Sequence, residues 1–258
     1  MLRILISNDD GIYGPGLKEL VRALKSLGQL FVVVPDGERS AASHSITLHK
    51  PFRIQRMPLE LSKDDSFSAY VTNGTPSDCV RFGLLEVLKK KKVDLIVGGI
   101  NSGPNLGEDI YYSGTVAVAR EAAMNNICGF AISVTEDKKA VYERAAKAAQ
   151  LIAKTLLKKR MPPHIFLNVN VPASSSTNHI SSSLEITRLG KRVYGKQIPS
   201  GIDPRGNAYY WLAGDTPKGI PVPGTDMAAI KKGKISITPL SLDCTNLGFI
   251  SELSNWKF

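Results

Sequence analysis

Short unbroken apolar runs alternate along the chain with longer stretches in which apolar positions return at helical spacing. Leu2–Ser7, Leu30–Val34, Leu95–Val97 and Phe130–Val134 are too short for helices and apolar on both faces, which predicts strands buried from both sides. Between them, Gly16–Leu27 places Leu17, Leu20, Val21, Leu24 and Leu27 on one helical face, with Gly28 as its stop. Pro76–Leu88, Thr115–Met124 and a long segment over Lys139–Lys159 carry the same helical spacing. Phe52–Ile54 and Phe67–Val71 alternate instead, predicting a more exposed antiparallel pair, and Ile165–Val171 alternates as a further strand.

Buried strands separated by helices predict an α/β fold: a Rossmann-like, mostly parallel sheet with helices on both faces, spanning residues 1–172. The pattern changes after that point. Ser174–Ser183 is polar and serine-rich and reads as a loop. Tyr209–Leu212 reads as a strand after the turn Asp203-Pro-Arg-Gly206. Asp226–Lys232 reads as a short helix stopped by Gly233, and Ile235–Pro239 as a last strand. Residues 173–258 therefore form a β-rich C-terminal annex, expected to complete the fold; an extension of this kind often carries an oligomer contact.

Composition narrows the class. A chain of 258 residues with 43% hydrophobic content can bury a full core. No apolar run approaches the roughly 20 residues of a membrane helix. The first apolar run is short and ends in acids, unlike a secretory signal, so the expected location is cytoplasmic. Cys79, Cys128 and Cys244 are widely spaced and form no CxxC, which predicts reduced core cysteines. The net charge of +10 suits an anionic partner such as a nucleotide or RNA. Much of that charge sits in Lys89–Lys92, Lys158–Arg160 and Lys231–Lys234, at helix C-terminal ends where cations complement the dipole.

Ligands of open α/β sheets gather at the carboxyl ends of the strands. There the chain places Asn8-Asp9-Asp10-Gly11, then the serine-rich Pro35–Ser45, then Gly98–Asp109. Adjacent carboxylates repel; a hard divalent cation offsets the repulsion, and hydroxyl and amide oxygens complete its shell. Asp9, Asp10, Asn101 and one of Ser40, Ser43 or Ser45 form such a set. The alternative is that one aspartate caps the turn while the other faces solvent. Ser113-Gly114-Thr115 enters a helix with exposed N–H groups and two hydroxyls, which is either a phosphate cradle or plain N-capping. Thr75, Pro76 and Asp78 form a capping arrangement, with Gly74 and Thr75 as secondary substrate contacts. His44 is a candidate acid or phosphate contact, or structural. The chain has no GxxxxGK[ST], no GxGxxG after its first strand and no HExxH, which sets aside P-loop, dinucleotide and zinc-protease chemistry.

Taken together, Ser7–Gly11 with Pro15-Gly16, Pro35-Asp36 with Arg39-Ser40, Asn73–Cys79, Gly99–Gly107, Tyr112–Val116, Leu167–Pro172, Gly224–Asp226 and Thr238–Leu240 resemble, in order, the motifs of the SurE survival-protein family. These are metal-dependent 5′/3′-nucleotidases. The resemblance implies one divalent ion per subunit, Mg²⁺ or Mn²⁺, on Asp9, Asp10, Ser40 and Asn101. It also implies phosphate binding at Ser113–Thr115; Asn8, His44, Gly74 and Thr75 stand beside these as candidate substrate contacts. Asp9 then chiefly holds the metal and Asp10 orients water. The implied reaction is hydrolysis of nucleoside monophosphates, extended to 3′-nucleotides and short polyphosphate, in a homodimer or homotetramer whose oligomerisation the 173–258 annex mediates. Two rival readings remain: a non-catalytic nucleotide or RNA binder, and a metal-dependent sugar-nucleotide transferase. One departure from the family stands out, since Ala41-Ala42 follows Ser40 where the family commonly has glycine.

Overall fold

The computed structural model describes residues 1–258 apart from positions 63, 64, 90, 160, 175–178, 196, 213–217 and 258. Lys90 and Arg160 of the cationic runs, and positions 175–178 of the serine-rich loop, lie outside the described residues. The first elements are β1 (Arg3–Ser7), α1 (Leu17–Leu24), β2 (Gln29–Pro35), β3 (Ile54–Ser62), β4 (Asp65–Thr72) and α2 (Pro76–Phe82). Then come β5 (Leu95–Ser102), α3 (Gly114–Met124), β6 (Gly129–Val134), α4 (Lys139–Lys158) and β7 (Ile165–Val171). The annex adds α5 (Ile180–Ser183), β8 (Leu184–Ile186), β9 (Lys191–Val193), β10 (Ser200–Ile202) and β11 (Ala208–Tyr210). It ends with β12 (Lys218–Ile220), α6 (Asp226–Lys231), β13 (Ile235–Ser241) and α7 (Leu247–Leu253).

The main sheet has nine strands in the order β3-β4-β2-β1-β5-β6-β7-β13-β8. The run from β4 to β7 is parallel, as the doubly buried apolar segments required. β3 pairs antiparallel with β4 at one edge, and β13 antiparallel with β7 near the other. The annex thus contributes β13 and β8 to the same sheet. α1 and α4 cover one face, where the alanine-rich side of α4 lets the two helices pack closely over Ile4, Ile6 and Val32. α2 and α3 cover the other, over Leu5, Val33 and Ile96. Among the described residues no helix is long and apolar enough to cross a membrane.

Several boundaries differ from the sequence expectation for physical reasons. β5 runs past Val97 to Ser102, through a register shift between Gly99 and Asn101. The predicted helix over Pro76–Leu88 ends as α-helix at Phe82 and continues as a π-helical turn, Gly83–Val87. At Gly83 an added Cβ would lie 2.9 Å from the Leu5 side chain, so the helix passes close over β1 there. β3 extends to Ser62, with Pro58 tolerated because the strand is at the edge. The Asp203–Gly206 turn joins β10 to β11 as a hairpin. Of the three cysteines only Cys79 is fully buried; Cys244 is exposed, against the expectation of a core residue.

The direction of chain travel reverses at the centre of the sheet. From β1 the chain moves outward through β2 to β4, then crosses by α2 to β5 on the other side of β1 and continues to β6 and β7. The carboxyl ends of β1 and β5 therefore flank the switch-point crevice, where open α/β sheets hold ligands.

Candidate active site

Asp9 and Asp10 lie just beyond the end of β1, in a turn closed by Asn8. The Asn8 amide nitrogen donates to the Gly11 carbonyl at 2.9 Å, and its oxygen accepts from the Gly11 N–H at 3.1 Å. Gly11 takes φ +80°, a left-handed value that favours glycine. Asn8 is buried and fully engaged in this turn, so the structure gives it a shaping role.

The second loop is pinned to the first. The Arg39 N–H donates to the Asp9 carbonyl at 2.7 Å, which brings Ser40 alongside. Ser40 Oγ donates to a Glu38 carboxylate oxygen. Ala41 adopts φ +55°, so the residue that replaces the family's usual glycine does occupy a strained left-handed backbone. From the third loop, the Asn101 amide nitrogen donates to the Gly103 carbonyl at 2.7 Å, and its oxygen is the donor atom left for a ligand.

α3 begins directly behind Asp9. The Thr115 N–H donates to Asp9 Oδ2 at 3.1 Å and the Thr115 hydroxyl donates to Asp9 Oδ1. Only glycine permits this approach, because a Cβ on Gly114 would lie 3.0 Å from the Asp9 Cβ. The positive end of α3 is therefore aimed at the Asp9 carboxylate itself. Ser113 caps the helix, accepting from the Val116 N–H at 3.0 Å, and keeps its own hydroxyl proton for donation.

Asp9, Ser40, Asn101 and Ser113 line one cavity of about 330 Å³, whose other walls include Asn105, Asp109, Tyr112 and Tyr194. Asp10 sits at its margin, accepting from the Ser102 N–H at 3.2 Å. Burial raises the Asp9 pKa above the ordinary carboxylate range despite the bonds from Thr115. Burial, then the neighbouring Asp9 charge, pushes Asp10 up to about 6. Among the described residues no ion pair reaches either carboxylate, and no group of three or more His, Cys, Asp or Glu stands together. Two uncompensated acids beside neutral oxygens form a set for a hard divalent ion.

The other predicted contacts stand apart from this cavity. His44 Nε2 is 2.8 Å from Glu121 Oε1, tying the second loop to α3. Thr75 caps α2 reciprocally with Asp78 and donates to the Ser45 carbonyl at 2.7 Å. Gly74 is confined by Phe52, whose ring would lie 2.3 Å from an added Cβ. A larger hollow of about 730 Å³ beside β13 has Arg120 over the Phe166 ring and one carboxylate, Asp243, which accepts from the Thr245 N–H. It lacks the paired acids.

Residues that the sequence reading left without a role complete the walls. The Asn105 N–H donates to Asn170 Oδ1 at 2.8 Å and its carbonyl accepts from Asn168 and Asn170, locking the third loop to β7. The signal was present in Leu167-Asn-Val-Asn-Val, polar residues alternating on a buried strand. Tyr194, just past a three-residue strand, carries no sequence signal at all.

A family model described as Survival protein SurE matches residues 4–196. The chain belongs to the SurE family. A 5′-nucleotidase SurE from Heliobacterium modesticaldum is 39% identical, over 99% of this chain and 92% of that protein. One from Geobacter sulfurreducens is 41% identical, over 99% of this chain and 94% of its own length. The crystal structure of the SurE protein from Aquifex aeolicus matches with a TM-score of 0.78 at 37% identity, covering 98% of each chain. The Rossmann-like sheet and the resemblance read from the motifs are thus both borne out. The arrangement brings together the paired acids, the Ser40 and Asn101 oxygens and a hydroxyl donor at Ser113.

Proposed function

We propose that the protein hydrolyses nucleoside 5′-monophosphates to nucleoside and orthophosphate, using one divalent ion per subunit, Mg²⁺ or Mn²⁺, held by Asp9, Asp10, Ser40 and Asn101. The observation that carries this reading is the adjacent acid pair at the sheet's switch point, with no ion-pair partner among the described residues and with Ser40 and Asn101 lining the same cavity as Asp9. Held by these residues, a divalent ion would supply polarisation of the phosphoryl oxygens and a more acidic water. Thr115 fixes Asp9 in the ligand orientation. Asp10 orients the attacking water and accepts its proton. Ser113 donates its hydroxyl to a phosphoryl oxygen, and the Ser113–Thr115 helix end favours the negative charge gathered in front of it. His44, Asn8, Gly74 and Thr75 support the loops that carry these groups. The same phosphate end suits 3′-nucleotides and short polyphosphate.

The exposed apolar residues of the annex favour a homodimer or homotetramer. α7 leaves Leu247, Phe249, Ile250 and Leu253 exposed, and the β10–β11 hairpin leaves Ile202, Tyr209 and Tyr210 exposed. Residues 1–172 then act as the catalytic core and 173–258 as the assembling extension, in a cytoplasmic enzyme.

The test is phosphate release from 5′- and 3′-nucleoside monophosphates and short polyphosphate, after EDTA and again with Mg²⁺ or Mn²⁺. Release should vanish with EDTA and return with metal. Asp9→Asn and Asp10→Asn should each lower kcat at least about a hundredfold while the circular dichroism spectrum stays unchanged. Full activity in both variants would overturn the assignment. Folded protein that releases no phosphate with any metal would point to a nucleotide or RNA binder, and turnover only of a sugar nucleotide with an acceptor to a transferase.

A further inference from the structure

Asp9, Ser40, Asn101 and Ser113 account for part of the cavity lining but leave a further wall without a role. That wall is built from the 3₁₀ turn Gly107–Tyr111 and the segment after β9, and it carries Asp109, Tyr112 and Tyr194. Tyr112 is 59% exposed and Tyr194 is 46% exposed, so two large ring surfaces stand open beside a polar cleft. Folding alone gives no reason to leave them there, whereas a ligand that covers them does.

The Tyr194 ring and the Tyr112 backbone are held in place. The Tyr194 hydroxyl donates to Asp109 Oδ1 at 2.6 Å, and Arg192 Nε donates to Asp109 Oδ2 at 2.6 Å. The Arg192 N–H donates to Glu108 Oε2 at 2.6 Å, securing β9 to the turn. Tyr112 is anchored by its backbone: its N–H donates to the Asp109 carbonyl at 3.0 Å, and its carbonyl accepts from the Ser43 N–H at 2.9 Å. Tyr112 and Tyr194 line the same cavity, and the Tyr194 pKa is raised by burial and then by the bond to Asp109. With both oxygens of Asp109 engaged and Arg192 balancing its charge, this third carboxylate does not compete for a cation at the acid pair.

We propose that Tyr112 and Tyr194 form the nucleoside-binding wall of the site, stacking on the base and ribose of the substrate, with Asp109 as the positioning residue for Tyr194. The proposal rests on the phosphomonoesterase reading above and names the part of the substrate that reading leaves unplaced. A stacking wall recognises any nucleobase through its π-face, because ring faces carry no base-specific pattern of donors and acceptors. Purines, with the larger face, bind better than pyrimidines, and phosphate esters without a base bind worst.

Two readouts test this on the full-length protein. In the first, calorimetry measures adenosine and ribose binding, which needs neither metal nor turnover. Adenosine should bind and ribose should not, and Tyr112→Leu or Tyr194→Leu should each weaken adenosine binding about tenfold. Tyr194→Phe, which keeps the ring, should retain most of it. In the second, the ratio of kcat/KM for AMP to that for ribose 5-phosphate should fall about tenfold in the leucine variants, through KM. Adenosine binding unchanged in both folded leucine variants would overturn the proposal. Failure of the phosphomonoesterase reading looks different: no phosphate release from either ester, with adenosine binding still sensitive to the tyrosines, which supports the wall alone.

Discussion

Asp78 and Asp9 are both buried acids, yet their surroundings push them in opposite directions. At Asp9, burial outweighs the bonds from Thr115 and the pKa rises. At Asp78, burial also raises the pKa, but the hydroxyl and N–H of Thr47 and the N–H of Thr75 more than offset it, and the net shift is downward. Asp78 therefore ties the second loop to the start of α2 and stabilises the fold only while ionised. A depressed folded-state pKa contributes stability that is fully present above the ordinary value of 3.8 and is lost as pH falls through the folded value below it. Asp78→Asn should cost about 1–3 kcal/mol at neutral pH, measured by chemical denaturation. The difference from wild type should shrink as pH drops below 3.8, and a difference that stays constant down the acid limb would exclude the charge as its source. The sequence disclosed the capping box because its partners are three residues apart. It could not disclose Thr47, or Glu121 opposite His44, because those partners are distant in sequence and only the fold brings them together.

Strands and helices were legible where their periodicity was long and regular. β7 occupies Ile165–Val171 as its alternation indicated, and α3 and α4 lie within a residue of the expected spans. β5 was read short because glycines look like a strand's end, whereas here they continue the strand and let neighbours approach. A Cβ on Gly98 would lie 2.5 Å from the Thr115 carbonyl and 3.0 Å from the Val118 Cβ, so α3 rests directly on this strand. The consequence belongs to the pair of elements, because Thr115 is also what orients Asp9. Gly98→Ala should push the first turn of α3 away from β5, lower stability by about 1–3 kcal/mol and reduce kcat more than it changes KM. Denaturation midpoints and phosphate-release kinetics check it, and a variant with native stability and native kcat would show that the helix has room to spare.

Across the whole molecule, the annex was the least legible part because its strands are three residues long and carry no period. β8, β9 and β12 left no trace in the pattern, yet β9 delivers Arg192 and leads into Tyr194 at the cavity wall. Besides the pairing of β13 with β7, one acid ties this annex to the core: fully buried Asp226 at the start of α6. Its Oδ1 accepts from the N–H groups of Gly190 at 2.7 Å and Met227 at 2.8 Å, and its Oδ2 accepts from the Gly107 N–H at 2.9 Å. One side chain thus connects α6, the approach to β9 and the 3₁₀ turn that bears Asp109. In Asp226→Asn the surviving oxygen keeps Gly190 and Met227, because those two donors share Oδ1. The new NH₂ then faces the Gly107 N–H, donor against donor, and the turn loses its anchor. The variant should lose about 2–3 kcal/mol of stability, since a buried N–H is left unpaired. Its KM for a nucleotide should rise while binding of the divalent ion alone is retained, because Asp9, Asp10 and Asn101 lie on other elements. Denaturant unfolding, steady-state kinetics and Mn²⁺ titration separate these effects. Equal loss of ion and nucleotide binding would mean that Asp226 supports the fold as a whole rather than the wall that the annex presents to the site.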